Sequence, residues 1–408
     1  MQKTLKILVF SARYPDDEDR TKQNHVHNAL LSYSAEQMIP TVVDLKPRHE
    51  GLIFERFESI DVCRFGVLPR GWMRGPVFRH VFRHKMRQFL EKYAQSYDVI
   101  LLNTTLTQLL APLKSIFGVP IVATCHGDEV FPSGNKPLER DRRRLLGMCD
   151  AVTAVSDYTA DLVRRYIPNR PPVHVILNGI RQDIFAATRT KNKQALRANY
   201  KIPSEAFVVL MACTMIERKG VLEVLAAFEK VSSNNPHAFL LCVGRGTLEV
   251  EFNRRSVHSN IARKIRHYHY IDSDEAMADL YRMSDLYVML SKTVPHKHGA
   301  GVEGFGISYI DAGALGIPVI GGKSGGVTSA VIDGVTGILL DPRSPAIVDE
   351  LAATMEMLIS SPDMCRKMGE AAERRIWGEL TWAHYAKQMR RLFDEILETK
   401  RQQRVACS

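Results

Sequence analysis

The most constraining feature of this 408-residue sequence is the run of residues 301–342, where glycine turns alternate with short apolar segments. Glu303 precedes a Gly-Phe-Gly turn, and an apolar helix predicted over 307–315 carries Asp311. A buried strand at 317–320 and a second glycine turn at 323–326 follow. Helix N-termini offer N–H groups and a positive dipole end to a phosphate, and carboxylates accept hydrogen bonds from hydroxyls. The run therefore predicts a ligand that carries both phosphate and sugar.

Length and composition predict a globular protein of two ordinary domains. The chain is 45% hydrophobic and 25% charged, which excludes wholesale disorder. No apolar run approaches the roughly 20 residues that span a bilayer. The seven cysteines show no C-x-x-C spacing, so we expect reduced thiols, a cytoplasmic location and no zinc site.

The positive charge is confined to the first half of the chain. Residues 1–200 hold 30 Lys and Arg against 20 Asp and Glu, which accounts for the whole net charge of +10. A basic N-terminal half of this kind favours an acidic partner, which could be nucleic acid, an anionic membrane or an anionic acceptor.

Strand-like runs alternate with helical patterns throughout, which is typical of parallel sheets covered by helices. The predicted strands are 6–10, 41–44, 99–103, 121–124, 151–155, 173–177, 208–212, 238–243, 286–290 and 319–321. A polar, lysine-containing stretch near 188–201 separates the two sets. We therefore predict two domains of the α/β class, at residues 1–187 and 188–376, followed by a helical segment at 377–408.

The 301–342 run resembles the donor-binding signature of the retaining, metal-independent glycosyltransferases of family 4, in which Glu, Gly-Phe-Gly and a second Glu recur at this spacing. The second acid here is Asp311, one methylene shorter. The resemblance implies the GT-B fold, with two Rossmann-like, doubly wound domains facing across a cleft and the 377–408 segment crossing back to the first. It implies that Glu303 contacts the donor sugar, that Gly304, Phe305 and Gly306 line the donor site, and that Asp311 contacts the ribose.

Two further positions match the donor side of this family. Arg218-Lys219-Gly220 follows a predicted strand and opens a helix, where a lysine can neutralise a diphosphate without a metal. The family usually carries an Arg at the position of Thr214, and Arg218 is the candidate to replace it. By its place in the chain, Gly244 matches a glycine loop near the nucleotide.

The first half contributes His126, which follows the strand at 121–124 and precedes a glycine. In the family the matching histidine borders the donor sugar and the acceptor pocket, so His126 joins Lys219 and Glu303 as a predicted catalytic residue. Asp128 and Glu129 are weaker candidates for acceptor contacts. The family often has Gly-Gly in its first loop, whereas this chain has Thr-Lys-Gln-Asn at 21–24, where Lys22 or Asn24 is a weak candidate for a phosphate contact.

A basic, amphipathic helix is predicted between Arg70 and Lys92. It carries seven Lys and Arg against one acid, together with Trp72, Phe78, Phe82 and Phe89. This pattern is typical of an interfacial membrane helix, and family members with lipid-linked acceptors use the same device. The alternative is a helix whose apolar face packs on its own sheet.

These features predict a hexosyltransferase that takes a UDP- or GDP-linked sugar, uses no metal or other cofactor, and acts on a saccharide or lipid-linked acceptor in polysaccharide or glycolipid synthesis. Three alternatives remain open: a nucleic-acid-binding protein, a nucleotide-sugar epimerase or hydrolase of the same fold, and a catalytically weak partner subunit of a transferase complex. Carboxylates in a phosphate-binding cleft would repel nucleic acid, so no nucleic-acid partner is expected.

Overall fold

A computed structural model describes residues 3–17, 24–45, 51–66, 76–116, 118–132, 134–167, 171–258, 261–294 and 301–407. Contacts divide the chain into two units. One holds Met1–Asn178 and Trp382–Ser408, and the other holds Gly179–His296 and Ala300–Thr381. The sequence had placed the first boundary after residue 187 and the start of the last segment at 377.

The described strands are, in chain order, β1 (Leu5–Ser11), β2 (Met38–Asp44), β3 (Gly51–Phe57), β4 (Ile60–Gly66), β5 (Val99–Asn103), β6 (Ile121–Cys125), β7 (Ala151–Ala154), β8 (Val173–Val175), β9 (Phe207–Ala212), β10 (Ala238–Val243), β11 (Ile265–Tyr268), β12 (Leu286–Met289), β13 (Val319–Gly322) and β14 (Gly337–Leu340).

The described α-helices are α1 (Asn24–Leu31), α2 (Pro76–Tyr93), α3 (Leu110–Leu113), α4 (Lys136–Gly147), α5 (Asp157–Tyr166), α6 (Gln182–Arg189), α7 (Lys193–Asn199), α8 (Val221–Asn234), α9 (Glu249–His258), α10 (Asp274–Arg282), α11 (Ile307–Ala314), α12 (Val327–Ala330), α13 (Ile347–Ile359), α14 (Pro362–Glu379) and α15 (Trp382–Cys407). None of the helices in the described ranges combines the length and apolarity needed to cross a membrane.

The first unit is built on an eight-stranded sheet of order β3-β4-β2-β1-β5-β6-β7-β8. All pairs are parallel except β3–β4, which is antiparallel. The central strands β5, β6 and β7 are buried along their whole length, as expected where helices cover both faces of a parallel sheet.

The second unit has a six-stranded, parallel sheet of order β11-β10-β9-β12-β13-β14. Helix α8 packs Val224, Leu225 and Phe228 onto it, at the four-residue and three-residue spacings of one helix face. The chain winds outward from β9 to β11 and then returns to the other side of β9 with β12. In sheets of this kind ligands bind beyond the carboxyl ends of the strands at the reversal point, here between β9 and β12.

Helix α15 belongs to the first unit although it follows the second in sequence. Arg390 is 3% exposed, and its guanidinium donates to the carbonyl oxygens of Lys3, Glu36 and Gln37 at 2.7–3.2 Å. The hydroxyl of Ser32 donates to the carbonyl of Trp382 at 2.9 Å. The helix is therefore tied to backbone groups that flank β1 and β2.

The apolar face of the basic helix α2 packs inward, which is the alternative that the sequence left open for this helix. Phe82 and Phe89 are 3% and 7% exposed and lie in the core of the first unit, and Phe78 packs against the same core. The arginines at 79, 83 and 87 are exposed. Three of the predicted apolar anchors therefore face inward, while Arg70 and Trp72 lie outside the described residues.

Candidate active site

Three loops of the second unit meet at the carboxyl edge of its sheet, beside the reversal point. The backbone N–H of Lys292, after β12, donates to the carbonyl of Arg218, after β9, at 2.8 Å. The backbone N–H of Gly326, after β13, donates to the carbonyl of Glu303 at 2.7 Å. Residues up to 74 positions apart in sequence therefore face one another at the predicted donor site.

A cluster of charges lies at this meeting point. Oε2 of Glu303 accepts from Nη1 of Arg218 at 2.8 Å, from Nζ of Lys219, and from the hydroxyl of Ser291 at 3.2 Å. The side chains of the two cations and the carboxylate are 11–19% exposed. Two cations share one carboxylate, so the cluster keeps a net positive charge.

The charge state of Glu303 is set by competing effects. Burial tends to raise its pKa, but Lys219 and Arg218 outweigh burial and hold the pKa below the ordinary value. The carboxylate therefore stays ionised at neutral pH. An anionic ligand here would meet two partly buried cations that need no metal to neutralise it.

The glycine loop after β10 packs closely against the loop after β9. Gly244 has φ 136°, and a Cβ at this position would clash with the carbonyl oxygen of Cys213. Only glycine fits this backbone. Its carbonyl oxygen lies 2.7 Å from Nε2 of His267, which orients the loop.

The Gly-Phe-Gly turn leads into α11 as predicted. Gly306 has φ 99° and forms the N-cap of α11, immediately after Gly304 and Phe305. Phe305 is 2% exposed, so its side chain packs in the protein and only its backbone is available to a ligand. The first turn of α11 has N–H groups with no partner within the helix, which suits a phosphate.

Asp311 lies in α11 and has the most perturbed carboxyl group of this region. Burial and then the nearby carboxylate of Asp274 raise its pKa well above the ordinary value. A protonated carboxyl can donate as well as accept a hydrogen bond. Thr214, where the resemblance would place an arginine, is exposed and carries no charge.

In the first unit, His126 follows β6 in a loop that a carboxylate holds through backbone hydrogen bonds. Oε2 of Glu129 accepts from the backbone N–H groups of His126 and Gly127 at 2.8 and 2.9 Å. Nε2 of His126 is buried and has no hydrogen-bond partner among the described residues. Burial lowers the pKa of His126 to about 4, so the ring is neutral at physiological pH.

Sequence reasoning missed His25 and Ser291 and expected a different role for Glu129. The ring of His25, in α1, meets the ring of His126 edge to face, with the centroids 4.8 Å apart. Glu129 holds the loop through backbone groups, and this contact is visible only once the turn is folded. Lys22 lies outside the described residues.

Comparison with known proteins supports the class that the fold and the charged cluster suggest. Residues 192–375 match the family model of the "Glycosyl transferases group 1", and residues 23–183 match that of "Glycosyltransferase Family 4". The two matches together cover most of the chain.

Similar sequences include two glycosyltransferases whose names give their substrates. A GDP-mannose-dependent alpha-(1-6)-phosphatidylinositol monomannoside mannosyltransferase of Mycolicibacterium smegmatis is 29% identical over 301 residues, which are 73% of this chain and 75% of that protein. A D-inositol 3-phosphate glycosyltransferase of Corynebacterium diphtheriae is 26% identical, over 69% of this chain and 67% of that protein.

Solved structures share the fold over almost the whole chain. A sucrose-phosphate synthase of Thermosynechococcus elongatus has a TM-score of 0.75 at 20% identity, covering 97% of this chain and all of that one. Anabaena HepE, solved with UDP and glucose, has a TM-score of 0.71 at 18% identity, covering 96% and 100%. The protein is thus a glycosyltransferase with the GT-B fold. Within that class, residues 23–183 are similar to the family 4 glycosyltransferases and residues 192–375 to the glycosyl transferases group 1.

Proposed function

We propose that this protein transfers a hexose from a nucleoside-diphosphate sugar to an acceptor hydroxyl with retention of the anomeric configuration and without a metal. The observation that carries the proposal is the pairing of Glu303 with both Arg218 and Lys219 at the sheet's reversal point. The excess positive charge of this cluster can bind a diphosphate leaving group, and the carboxylate of Glu303 can accept hydrogen bonds from sugar hydroxyls.

The chemistry follows from these charges. The acceptor oxygen forms a bond to the anomeric carbon while the bond from that carbon to the diphosphate oxygen breaks. The acceptor proton passes to the departing phosphate on the same face, so no separate carboxylate nucleophile is needed. Lys219 and Arg218 stabilise the charge that develops on the leaving group. Glu303 orients the sugar, and Asp311 contacts the ribose.

We assign His126 to the donor sugar and the edge of the acceptor pocket. Nε2 of this neutral ring is buried, so a substrate hydroxyl would satisfy an atom that lacks a partner among the described residues. A neutral imidazole can accept or donate one hydrogen bond without adding charge to the site.

GDP-mannose is the proposed donor, and a glycolipid precursor is the proposed acceptor. Support comes from the GDP-mannose-dependent relatives of glycolipid synthesis, which match over two thirds or more of their length. UDP-sugars are the competing donors, because structures of similar fold were solved with UDP.

Thermal melting with GDP, UDP, ADP and dTDP in the presence of a chelator tests this proposal. A nucleotide at about 100 times its dissociation constant adds roughly 2.7 kcal/mol of stability. Stabilisation by GDP alone supports a GDP-sugar donor, and a shift with UDP instead redirects the assay to UDP-sugars. No shift with any nucleotide contradicts the transferase proposal and favours a weakly active partner subunit.

We also propose that the basic face of α2 holds the protein at an anionic membrane surface, where a lipid-linked acceptor would lie. The apolar part of this surface is the edge strand β3, where Leu52 and Phe54 are 47% and 58% exposed. Phe54 contacts the ring of Tyr93 at the end of α2, so the apolar strand and the basic helix are neighbours. Each basic group near such a surface contributes about 1 kcal/mol.

Sedimentation with anionic vesicles tests the membrane contact. Replacing Arg79, Arg83 and Arg87 with Glu should abolish binding, while the exposed arginines of α9, Arg254 and Arg255, provide a matched control in the second unit. Unchanged sedimentation of the α2 variant would contradict the proposal.

A further inference from the structure

We propose that Glu249, His267 and His269 bind a transition-metal cation such as Zn²⁺, beside the glycine loop that follows β10. Each residue offers one ligand atom, and these atoms all lie within 4.8 Å of one another. The sequence predicted no metal ligands, because Glu249 begins α9 while His267 lies in β11 and His269 follows that strand.

His267 is oriented as metal-binding histidines usually are. Its Nε2 lies 2.7 Å from the carbonyl oxygen of Gly244, which can only accept, so Nε2 carries the proton. Nδ1 then has the free lone pair, and the N–H to a carbonyl fixes the tautomer and the ring plane. Oδ1 of Asn253 lies 2.9 Å from Nδ1, so two acceptor atoms face each other in the absence of an ion. A cation bound to Nδ1 would relieve this contact, and without an ion the amide can turn its NH2 group toward Nδ1.

Glu249 supplies a buried carboxylate oxygen. Its Oε1 meets no partner with hydrogen-bond geometry among the described residues and lies in close contact with Nδ1 of His269, the other atom that would hold the ion. A buried carboxylate is unfavourable unless its charge is compensated, and a cation would compensate it. The side chain of His269 is 71% exposed, so an ion can enter from solvent and the ring can turn to meet it.

The donor set selects the type of ion. Two imidazoles and one carboxylate suit Zn²⁺ and its neighbours, whereas Mg²⁺ and Ca²⁺ prefer oxygen ligands throughout. Ligands at about 2.0–2.1 Å from a tetrahedral zinc lie roughly 3.3 Å apart. Small side-chain rotations that separate Glu249 from His269 and draw the more distant atoms together would therefore form the site. Three protein ligands leave a fourth position for water.

The ion would join the start of α9, which follows β10, to the neighbouring strand β11 and the residue after it. Glu249 lies five residues after Gly244, and His267 already bonds the Gly244 carbonyl, so binding would stiffen this loop against β11. The site includes none of Arg218, Lys219 and Glu303. It is therefore independent of the proposed transfer chemistry and does not rest on it.

Isothermal titration of chelator-stripped protein with Zn²⁺ tests the proposal, and Co²⁺ gives a second readout through its visible absorption. We expect one ion per chain. His269→Ala and Glu249→Gln should each weaken binding at least about tenfold, because even the loss of a group that only orients a ligand costs about 10–100-fold.

The matched control is His84→Ala, which removes an exposed histidine of α2 that lies four residues after exposed His80 and could itself attract metal. This variant should bind Zn²⁺ as the parent protein does. The proposal is overturned if no stoichiometric binding occurs, if His269→Ala binds like the parent protein, or if His84→Ala alone removes the binding. His269 is mostly exposed, so its replacement should leave the fold intact, and circular dichroism checks this.

Discussion

Replacement of Lys219 by Ala should lower turnover by about 10²–10³-fold, equivalent to about 2.7–4 kcal/mol, which is the usual cost of losing one preorganised donor to a developing charge. Coulomb's law gives an upper limit for this loss. A cation at about 3 Å from a phosphate oxygen contributes about 5 kcal/mol at an effective dielectric constant of about 20. Arg218 remains 2.8 Å from Glu303 in the variant, so the carboxylate keeps a partner and the fold should persist.

The assay is steady-state transfer with the stabilising donor, alongside nucleotide melting shifts. Lys230→Ala is the control, because that lysine pairs with Asp349 on an exposed face of the same unit. Rates for Lys219→Ala within about threefold of the parent protein would refute the assignment of leaving-group stabilisation to this ammonium.

Glu303→Gln should strengthen nucleotide binding, whereas Lys219→Ala removes a cation from the same cluster. The two variants therefore separate the role of the carboxylate from that of the ammonium. Without the carboxylate, two partly buried cations face each other, which destabilises the ligand-free protein because neither charge is compensated. A nucleoside diphosphate would then supply the missing negative charge and give a larger melting shift than in the parent protein. Transfer should fall because the sugar loses its orienting group. A smaller shift would contradict this account of the cluster.

Three further changes test other parts of the structure. A carboxyl group whose pKa is raised in the folded state favours folding only while it is protonated. Its contribution to the free energy of unfolding is therefore lost as the pH rises from about 4. Asp311→Asn should therefore raise the melting temperature at pH 7–8 and lose this advantage near pH 4. An equal change in melting temperature at the two pH values would argue against a raised pKa of Asp311. Gly244→Ala should cost about 2 kcal/mol or more through strain at φ 136° and weaken nucleotide binding, and an unchanged melting curve would reject the strain. Arg390→Met should cost about 1.5–3 kcal/mol of unfolding free energy, measured with denaturant, since three backbone carbonyls lose a charged donor. A loss below about 0.5 kcal/mol would show that these bonds are not needed.

The buried parallel strands of both units were predictable because their apolar runs are continuous. The predicted strands at 99–103 and 238–243 match β5 and β10. By contrast, β3 is exposed at six of its seven positions, and β11 mixes charged and aromatic residues without a buried run. Their places in the sheet depend on tertiary pairing, which composition does not reveal.

The sequence identified Glu303, Lys219 and Arg218 as members of one site but not how they contact one another. Residues in the loops that follow parallel strands are expected at one edge of the sheet, which is enough to group them. That both cations bond the same oxygen, and that Ser291 joins them, depends on side-chain geometry. The inward direction of Phe82 and Phe89 was equally ambiguous, because a membrane face and a core face have the same periodicity.

The position of α15 has a consequence for synthesis on the ribosome. The first unit receives this helix from residues translated after the whole second unit, including Arg390, whose side chain bonds carbonyls next to β1 and β2. During translation those carbonyls must stay hydrated or find temporary partners until residue 390 leaves the exit tunnel. The second unit, whose strands come entirely from 179–381, can reach its native contacts earlier. Truncation near residue 382 should therefore harm the N-terminal sheet first, and a nascent chain stalled there should be protease-sensitive in the half that was made first.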